Sequence, residues 1–269
     1  MSAREERLMT ARRRIRWFSD GTASAVATKL DIEEFGVDAG PVVLCDTGAE
    51  DEDNLRFRAD CEAWFGCKVE TIKSEKYEDV FDVWQSVRFM SGPNGAPCSR
   101  EMKFLPRLNF ERPTDIHVFG YTADKLDRKR PDRLRADFSP LAQIVTPLID
   151  KGLTKANCMA WVEGAGIQLP RTYGMGFPNA NCLQRGCVKS TSPSYWALFR
   201  ERFPDRFATT AKLSRELGVR LVIIRREKLP SGKYRNIRAF IDEIPADQPT
   251  TNPIVPDCDF ICSMRKDAA

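Results

Sequence analysis

The strongest constraint in this sequence is a recurring pattern: a short apolar run that empties into a turn and restarts as a helix. The first instance is Ile15-Arg16-Trp17-Phe18, broken by Ser19-Asp20-Gly21 and resumed by Thr22-Ala23-Ser24-Ala25-Val26-Ala27. The second is Pro41-Val42-Val43-Leu44-Cys45, which runs into Asp46-Thr47-Gly48-Ala49-Glu50; the third is Ile116-His117-Val118-Phe119, ending at Gly120-Tyr121-Thr122. Such continuous apolar runs suit strands buried on both faces, as in parallel sheets. Helical patterns fill residues 22–35, stopped by Gly36, and the stretch from the acidic residues 50–53 to Phe65, stopped by Gly66. A short strand at 69–72 and a helix at 79–89 follow. The order predicts an α/β fold, a parallel sheet with helices on both faces. Ligands of such sheets bind beyond the strand C-termini, so the three turns are expected on one edge.

The first turn has the chemistry of an anion site. A helix N-terminus offers unpaired N–H groups and the positive end of its dipole. Ser19, Thr22 and Ser24 add hydroxyls, and Gly21 keeps the backbone approachable. A plain βα turn would look the same. Residues 12–14 (Arg-Arg-Arg) and 125–135 are strongly basic, either as solvated surface or as contacts to phosphate-bearing ligands, including nucleic acid.

The 269 residues suffice for one large α/β domain with an appended lobe. The expected division is an α/β core carrying the anion-site turn over 1–150 and a C-terminal helical lobe with a cysteine-bearing tail over 151–269, packed as one unit. Helices are expected at 3–14, 155–164, 193–203 and 205–217, with a glycine-, proline- and asparagine-rich loop at 166–181. Leu221-Val222-Ile223-Ile224 reads as a late strand or an apolar packing edge, and residues 245–256 are proline-rich. No run approaches a membrane span, and the charged first residues lack a signal-peptide core, so a cytoplasmic protein without a membrane partner is expected.

Nine cysteines in such a chain point to metal or redox chemistry or to burial, rather than to disulfides. Cys45, Cys61, Cys67 and Cys158 fall in strand or helix patterns and are expected as small buried hydrophobes. Cys98, Cys182 and Cys187 lie in loop-like, glycine-rich settings with basic neighbours that favour thiolate. Zinc is chemically admissible there, and an iron–sulfur cluster suits an all-thiolate set better. With a single histidine, His117, imidazole-based metal or triad chemistry has little material.

Ser19-Asp20-Gly21-Thr22-Ala23-Ser24 resembles the Ser-Gly-Gly-x-x-Ser loop of the PP-loop superfamily, which includes ATP pyrophosphatases, tRNA-thiolating enzymes and adenylylsulfate/phosphoadenylylsulfate reductases. Asp20 stands at a position usually held by glycine. Ala23 replaces the aspartate of ATP-cleaving members, which resembles the reductase-like branch. Asp46-Thr47-Gly48 with Glu50 is similar to that branch's Asp-Thr-Gly-x-Glu. Residues 120–128 are similar to its third segment, where an arginine meets the nucleotide phosphates; Arg128 is the candidate, with Lys125 and Lys129 as substitutes. The resemblance thus implies an adenine nucleotide, ATP or PAPS/APS, held by Ser19, Gly21, Thr22, Ser24, Asp46, Thr47, Gly48 and Arg128, with magnesium admitted beside the phosphates.

The segment from Cys98 to Pro106 resembles the Cys-Cys-x-x-Arg-Lys-x-x-Pro segment of cluster-bearing adenylylsulfate reductases; the first cysteine, Lys103 and Pro106 match, while Ser99 and Met102 depart. The stretch with Cys182 and Cys187 is similar to reductase-like proteins of phages and bacteria. Together these imply a 4Fe-4S cluster on Cys98, Cys182 and Cys187, completed by Cys262, with Cys258 in reserve, or left with an open iron. Asp257-Cys258-Asp259 loosely resembles the reductases' C-terminal nucleophile, which makes Cys258 and Lys103 the catalytic candidates.

Three functions follow from the resemblance. The first is nucleotide-dependent sulfur transfer, a thiolation that takes sulfur from a donor and holds a nucleic-acid acceptor at residues 125–135. The second is sulfonucleotide reduction linked to a thioredoxin-like protein. The third is a non-catalytic nucleotide- or redox-sensing module.

Overall fold

The computed structural model describes residues 12–92, 95–135, 138, 140–180 and 182–254. In chain order it contains β1 (Arg14–Phe18), α1 (Thr22–Phe35), β2 (Val42–Cys45), α2 (Asp53–Phe65), β3 (Val69–Ile72), α3 (Val80–Val87) and α4 (Pro97–Ser99). A π-helical turn (Arg100–Phe104) leads to α5 (Leu105–Phe110), then β4 (Ile116–Val118), α6 (Arg130–Arg135), β5 (Gln143–Val145), α7 (Pro147–Asp150) and α8 (Lys155–Gly164). The remainder is α9 (Arg171–Gly174), α10 (Pro193–Arg202), α11 (Pro204–Glu216), β6 (Val222–Lys228) and β7 (Tyr234–Ala239). These elements form two compact units. The first comprises the described residues to Asp46, Glu52–Lys73 and Pro106–Pro170; the second comprises Thr47–Asp51, Ser74–Leu105 and the described residues from Arg171 on.

The first unit is built on a five-stranded sheet in the order β3-β2-β1-β4-β5, with every neighbouring pair parallel. This is the α/β parallel sheet that the run–turn–helix pattern predicts. Side chains alternate across β1. Phe18 packs on Phe57 and Phe65 of α2, and its side of the sheet carries the apolar cluster that includes Ala25, Val26 and Leu30 of α1 and Cys158 and Val162 of α8. Trp17, on the opposite face, stacks on His117 and meets Phe110 of α5 edge-on. Helices therefore cover both faces.

The arginines of β1 obey the same alternation. Arg14 and Arg16 lie on the α1 side, and both bind Asp31 of that helix: Arg14 Nε donates to Oδ1 at 2.9 Å and Arg16 Nε to Oδ2 at 2.7 Å. All three residues are buried. Arg16 also donates to the carbonyls of Gly36 and Gly40, both at 2.7 Å. Arg13 pairs with Asp115 at 2.6 Å, and Arg12 Nε donates to the Thr114 carbonyl at 2.6 Å. Within the basic run at 12–14, Arg13 and Arg14 are therefore neutralised by carboxylates of the unit, while Arg12 is exposed and bonded to backbone carbonyls. The helix expected over 3–14 does not reach its last residue, because Arg14 opens β1, and residues 3–11 lie outside the described residues.

His117, in the middle of β4, accepts a hydrogen bond from Trp17 Nε1 at 3.0 Å. Burial drives its pKa down to about 3, against the pull of Asp115, so it is a neutral core residue.

The second unit packs around Trp84, Met90 and Met102 with the aromatic face of α10, Tyr195, Trp196 and Phe199. Its α10 starts where expected, because Pro193 occupies the first turn and the Ser192 side chain accepts from Tyr195 N. The setting of Cys98 differs from the loop expected: Pro97 opens a helical turn that continues through the π turn, where Leu105 N donates to the Arg100 carbonyl five residues back. Pro106, which follows, has no N–H to give to a four-residue ladder, and the wider turn carries the chain past it. The apolar run at 221–224 becomes a true strand, β6, paired antiparallel with β7. Among the described residues no helix is long and apolar enough to cross a membrane.

Replacing Asp31 with alanine leaves two buried guanidiniums without their shared carboxylate. A loss of about 3–5 kcal/mol in unfolding free energy is expected, checked by urea denaturation. A loss below about 1 kcal/mol would show that the clamp contributes little.

Candidate functional site

The chain leaves β1, builds β2 and β3 on one side, and returns to build β4 and β5 on the other. The strand order therefore reverses between β1 and β4, and the crevice outside their C-terminal ends is where ligands of such sheets sit. The Ser19 turn leaves β1 and Gly120 follows β4 at this place. A Cβ on Gly120 would lie 2.6 Å from Ser24 Cα and 2.7 Å from Ser24 N, so only glycine lets the end of β4 approach the first turn of α1 so closely.

The turn itself is held by its own hydroxyls. Ser24 Oγ donates to the Gly21 carbonyl at 2.9 Å, accepts from Ser19 N at 3.1 Å and lies 3.2 Å from Ser19 Oγ. Gly21 is the N-cap of α1, with no side-chain cap and no acidic residue in the first turn, so nothing in that turn offsets the dipole. Ser19 is exposed and Gly21 and Ala23 are half-buried, whereas Thr22 is fully buried. Thr22 Oγ1 has no hydrogen-bond partner among the described residues.

Asp20 explains how an acid stands in this turn. Its φ is +53°, in the left-handed region that favours glycine and that aspartate tolerates better than most residues. Its buried carboxylate pairs with Arg58 of α2, Oδ2 to Nη2 at 2.7 Å and Oδ1 to Nε at 3.1 Å. The negative charge is therefore tied up behind the turn. Nothing in the sequence marks Arg58 among its other arginines.

The segment after β4 is likewise bonded to itself. Asp127 Oδ2 accepts from Thr122 N at 3.0 Å and from Thr122 Oγ1 at 2.8 Å, while Oδ1 pairs with Arg130 at 2.8 Å. Burial opposes its ionisation, but the Arg130 and Thr122 hydrogen bonds prevail and hold the carboxyl below its ordinary range. Arg130 also covers the Tyr121 ring. Arg128 is exposed, and its Nε donates to the Ala123 carbonyl at 2.6 Å. Arg135 pairs with Asp132. Lys125 and Lys129 are exposed.

Asp46, at the end of β2, belongs to the first unit and leaves the same sheet edge as the Ser19 turn. Thr47 and Gly48 belong to the second unit. There Glu50 caps its own turn, accepting from Thr47 Oγ1 at 2.6 Å and from Ala49 N at 3.1 Å. Gly48 has φ +62°, and a Cβ there would come within 2.7 Å of the Glu78 carbonyl and of Asp79 Cβ. Thr47 Oγ1 also lies 3.8 Å from Cys182 Sγ.

Cys182 and Cys187 flank one turn of the second unit, both buried, and Cys98 packs against the same apolar cluster. Gly186 is required beside Cys187, since a Cβ would fall 2.7 Å from the buried Trp196 ring. Tyr195 Oη accepts from Cys187 N at 2.7 Å. Burial first, and then the neighbouring Cys187 and Cys182, raise this phenol well above its ordinary pKa, so it keeps its proton. Lys103 is buried in the same unit, on the π turn. Cys258 and Cys262 lie outside the described residues. Among the described residues no three of His, Cys, Asp and Glu are grouped as ligands for a metal ion. Cys45, Cys61 and Cys158 are buried and Cys67 half-buried; burial raises the thiol of Cys61 far above its ordinary range and that of Cys158 to about 12, as inert core groups.

In structure this chain is similar to a sulfonucleotide enzyme. The crystal structure is that of phosphoadenylyl-sulfate (PAPS) reductase from Candida auris in a phosphate complex, at a TM-score of 0.45 and 12% identity, over 66% of this chain and 85% of that one. No family model and no curated protein matches the chain.

A second polar centre of the cysteine-bearing unit was not legible from the sequence. Asp51, fully buried, binds Arg171 at 2.7 Å and approaches Arg206 at 3.5 Å, and Arg206 donates to the Leu183 carbonyl at 3.3 Å inside the Cys182–Cys187 turn. These residues lie 120 and 155 positions from Asp51 in the chain, and no local pattern links them.

The Asp20–Arg58 pair makes a double-mutant prediction. Arg58→Ala strands a buried carboxylate and should cost about 3 kcal/mol. Adding Asp20→Gly removes both that charge and the left-handed strain and should recover most of the loss in denaturant titrations. No recovery would mean that Arg58 acts elsewhere.

Proposed function

We propose that the chain binds an adenine nucleotide through its phosphates at the N-terminus of α1, in the crevice between the ends of β1 and β4. The observation that carries this is the combination of an uncapped helix N-terminus with Thr22 Oγ1, a buried hydroxyl lacking a partner among the described residues. A buried polar group left unsatisfied costs about 1–3 kcal/mol, and a phosphate oxygen is a partner of the right kind at a helix start. Ser24 and Ser19 hold the turn open, and Gly120 lets the second strand close on it. Asp46 leaves the same edge, and Arg128 stands exposed after β4 to meet the distal phosphates. Thr47 and Gly48 belong to this proposal by resemblance.

The finer reading is sulfur transfer by a PP-loop-type enzyme, with sulfonucleotide reduction as the alternative. Its support in the second unit is that Cys98, Cys182 and Cys187 belong to one apolar cluster, with the protonated Tyr195 hydroxyl bonded at Cys187 and Lys103 buried on the π turn that follows Cys98. A 4Fe-4S cluster would need these three thiols and Cys262. The described residues alone do not form a ligand set, so no step is assigned to such a cluster. A nucleic-acid acceptor at residues 125–135 belongs to the same reading: Arg130 and Arg135 pair with Asp127 and Asp132, while Lys125, Arg128 and Lys129 are exposed.

Thr22→Val is the decisive test of the nucleotide site. Removing an unpartnered hydroxyl should raise stability by about 1 kcal/mol, while ATP affinity measured by calorimetry should fall about ten-fold, with adenosine binding weakly to both proteins. A destabilised variant that binds ATP normally would sink the proposal. Displacement of ATP by PAPS would favour reduction over thiolation.

For the cysteines, protein purified without oxygen should contain about four irons per chain, lost in Cys98→Ala and Cys187→Ala and retained in Cys61→Ala. Iron-free protein carrying stoichiometric zinc would remove the cluster and the main support for sulfur chemistry.

A further inference from the structure

A strongly basic stretch of the chain lies in a place the proposed nucleotide site does not use. Residues 220–238 hold seven of the 42 lysines and arginines and one of the 38 acids, a balance of +6 against +4 for the whole chain. All but Arg220 and Leu221 belong to the β6–β7 hairpin. Val222 and Ala239 are buried at its base, but no residue from 223 to 238 is buried, so both faces of the ribbon are open to solvent. The tip is a defined turn, with Leu229 N donating to the Lys233 carbonyl at 2.7 Å and Gly232 at φ +78°.

The two faces differ. Directly paired residues share a face, so the register puts Arg225, Ile237, Glu227 and Arg235 on one side and Ile223, Arg238, Arg226, Asn236, Lys228 and Tyr234 on the other. On the first face Glu227 pairs with both Arg225 and Arg235, and the three side chains neutralise much of each other's charge. The hydrogen bonds from both arginines lower the Glu227 carboxyl, which stays ionised. The second face has no carboxylate. Arg226 and Lys228, both exposed, have no ion-pair partner among the described residues, and Tyr234 is 67% exposed beside them. A two-stranded ribbon gains little stability from standing alone in water, and this face is too poor in apolar surface for a protein core to cover.

We infer that the β6–β7 hairpin is a DNA-binding ribbon whose Arg226/Lys228 face meets the phosphates of a duplex. The shape selects the partner. The major groove of B-form DNA admits a two-stranded β-ribbon, whereas that of A-form RNA is too narrow for side chains to enter. Arg226 and Lys228 are about 7 Å apart along the strand and reach successive points of the backbone, while Asn236 and Tyr234 face the groove between them. The inference does not rest on the proposed nucleotide site, and it gives DNA a contact surface other than residues 125–135.

The test is fluorescence anisotropy with a labelled DNA duplex of roughly 20 base pairs, the same sequence as a single strand, and the same sequence as duplex RNA, over a range of salt and without adenine nucleotide. The full chain should bind the DNA duplex most tightly. Arg226→Gln/Lys228→Gln, checked for folding by circular dichroism, should lose about ten-fold in affinity, and its log–log salt slope should shrink by about 2, near 0.9 per lost phosphate contact. Lys151→Gln/Lys212→Gln removes the same charge elsewhere and should stay within about two-fold. Equal losses in the two variants, tighter binding of single strand or RNA, or no binding by the unmodified chain would each overturn the inference. Because no nucleotide is present, these outcomes are independent of those for Thr22→Val.

Discussion

One buried carboxylate sets the geometry of the first unit. Asp31 on α1 holds Arg14 and Arg16 of β1 at once, and Arg16 in turn binds the carbonyls that close the loop between α1 and β2. A helix that returns along the strand it follows can slide or rotate if only apolar contacts hold it. Two charge-assisted hydrogen bonds from residues two apart on the strand fix both degrees of freedom, because such bonds are short and directional. The first turn of α1 is then placed at the C-terminal end of β1, where a helix dipole can act on an anion in the crevice.

The same logic explains an acid in a turn proposed to receive phosphate. An unpaired carboxylate beside phosphate would oppose binding. Asp20 is instead folded back by its positive φ and neutralised by Arg58, and the backbone of the turn faces outward. What glycine achieves by conformational freedom is achieved here by a residue that tolerates the left-handed region together with a dedicated counter-ion. The substitution is compensated, and the compensating residue lies on another helix.

In the second unit, polar groups organise the cysteine turn rather than merely surround it. Gly186 allows Trp196 to press on the turn, Tyr195 fixes the Cys187 amide, and Arg206, which shares the buried Asp51 with Arg171, fixes the Leu183 carbonyl. Thiols of ordinary core cysteines need no such support; Cys61 and Cys158 belong to the apolar cluster of the first unit. The contrast is in the backbone: the Cys182–Cys187 turn is held at several positions by side chains of α10 and α11.

The sequence by itself determined the parallel α/β architecture, the position of the first turn at a strand end, and most helix boundaries, because hydrophobic period, glycine stops and caps act over a few residues. α1 occupies the residues that its pattern predicts, and α8 and α10 begin where their caps do. It also determined that Cys45, Cys61 and Cys158 would be core. Tertiary structure decided which charges are spent and which are available. The arginines at 12–14 and the hairpin at 222–239 are both basic in the sequence, yet Arg13 and Arg14 are paired with Asp115 and Asp31, whereas Arg226 and Lys228 stand exposed on a face without a carboxylate. Short-range rules do not reach this distinction. Ion pairs join residues tens to more than a hundred positions apart, and a side chain's charge is free or neutralised according to what the fold brings beside it.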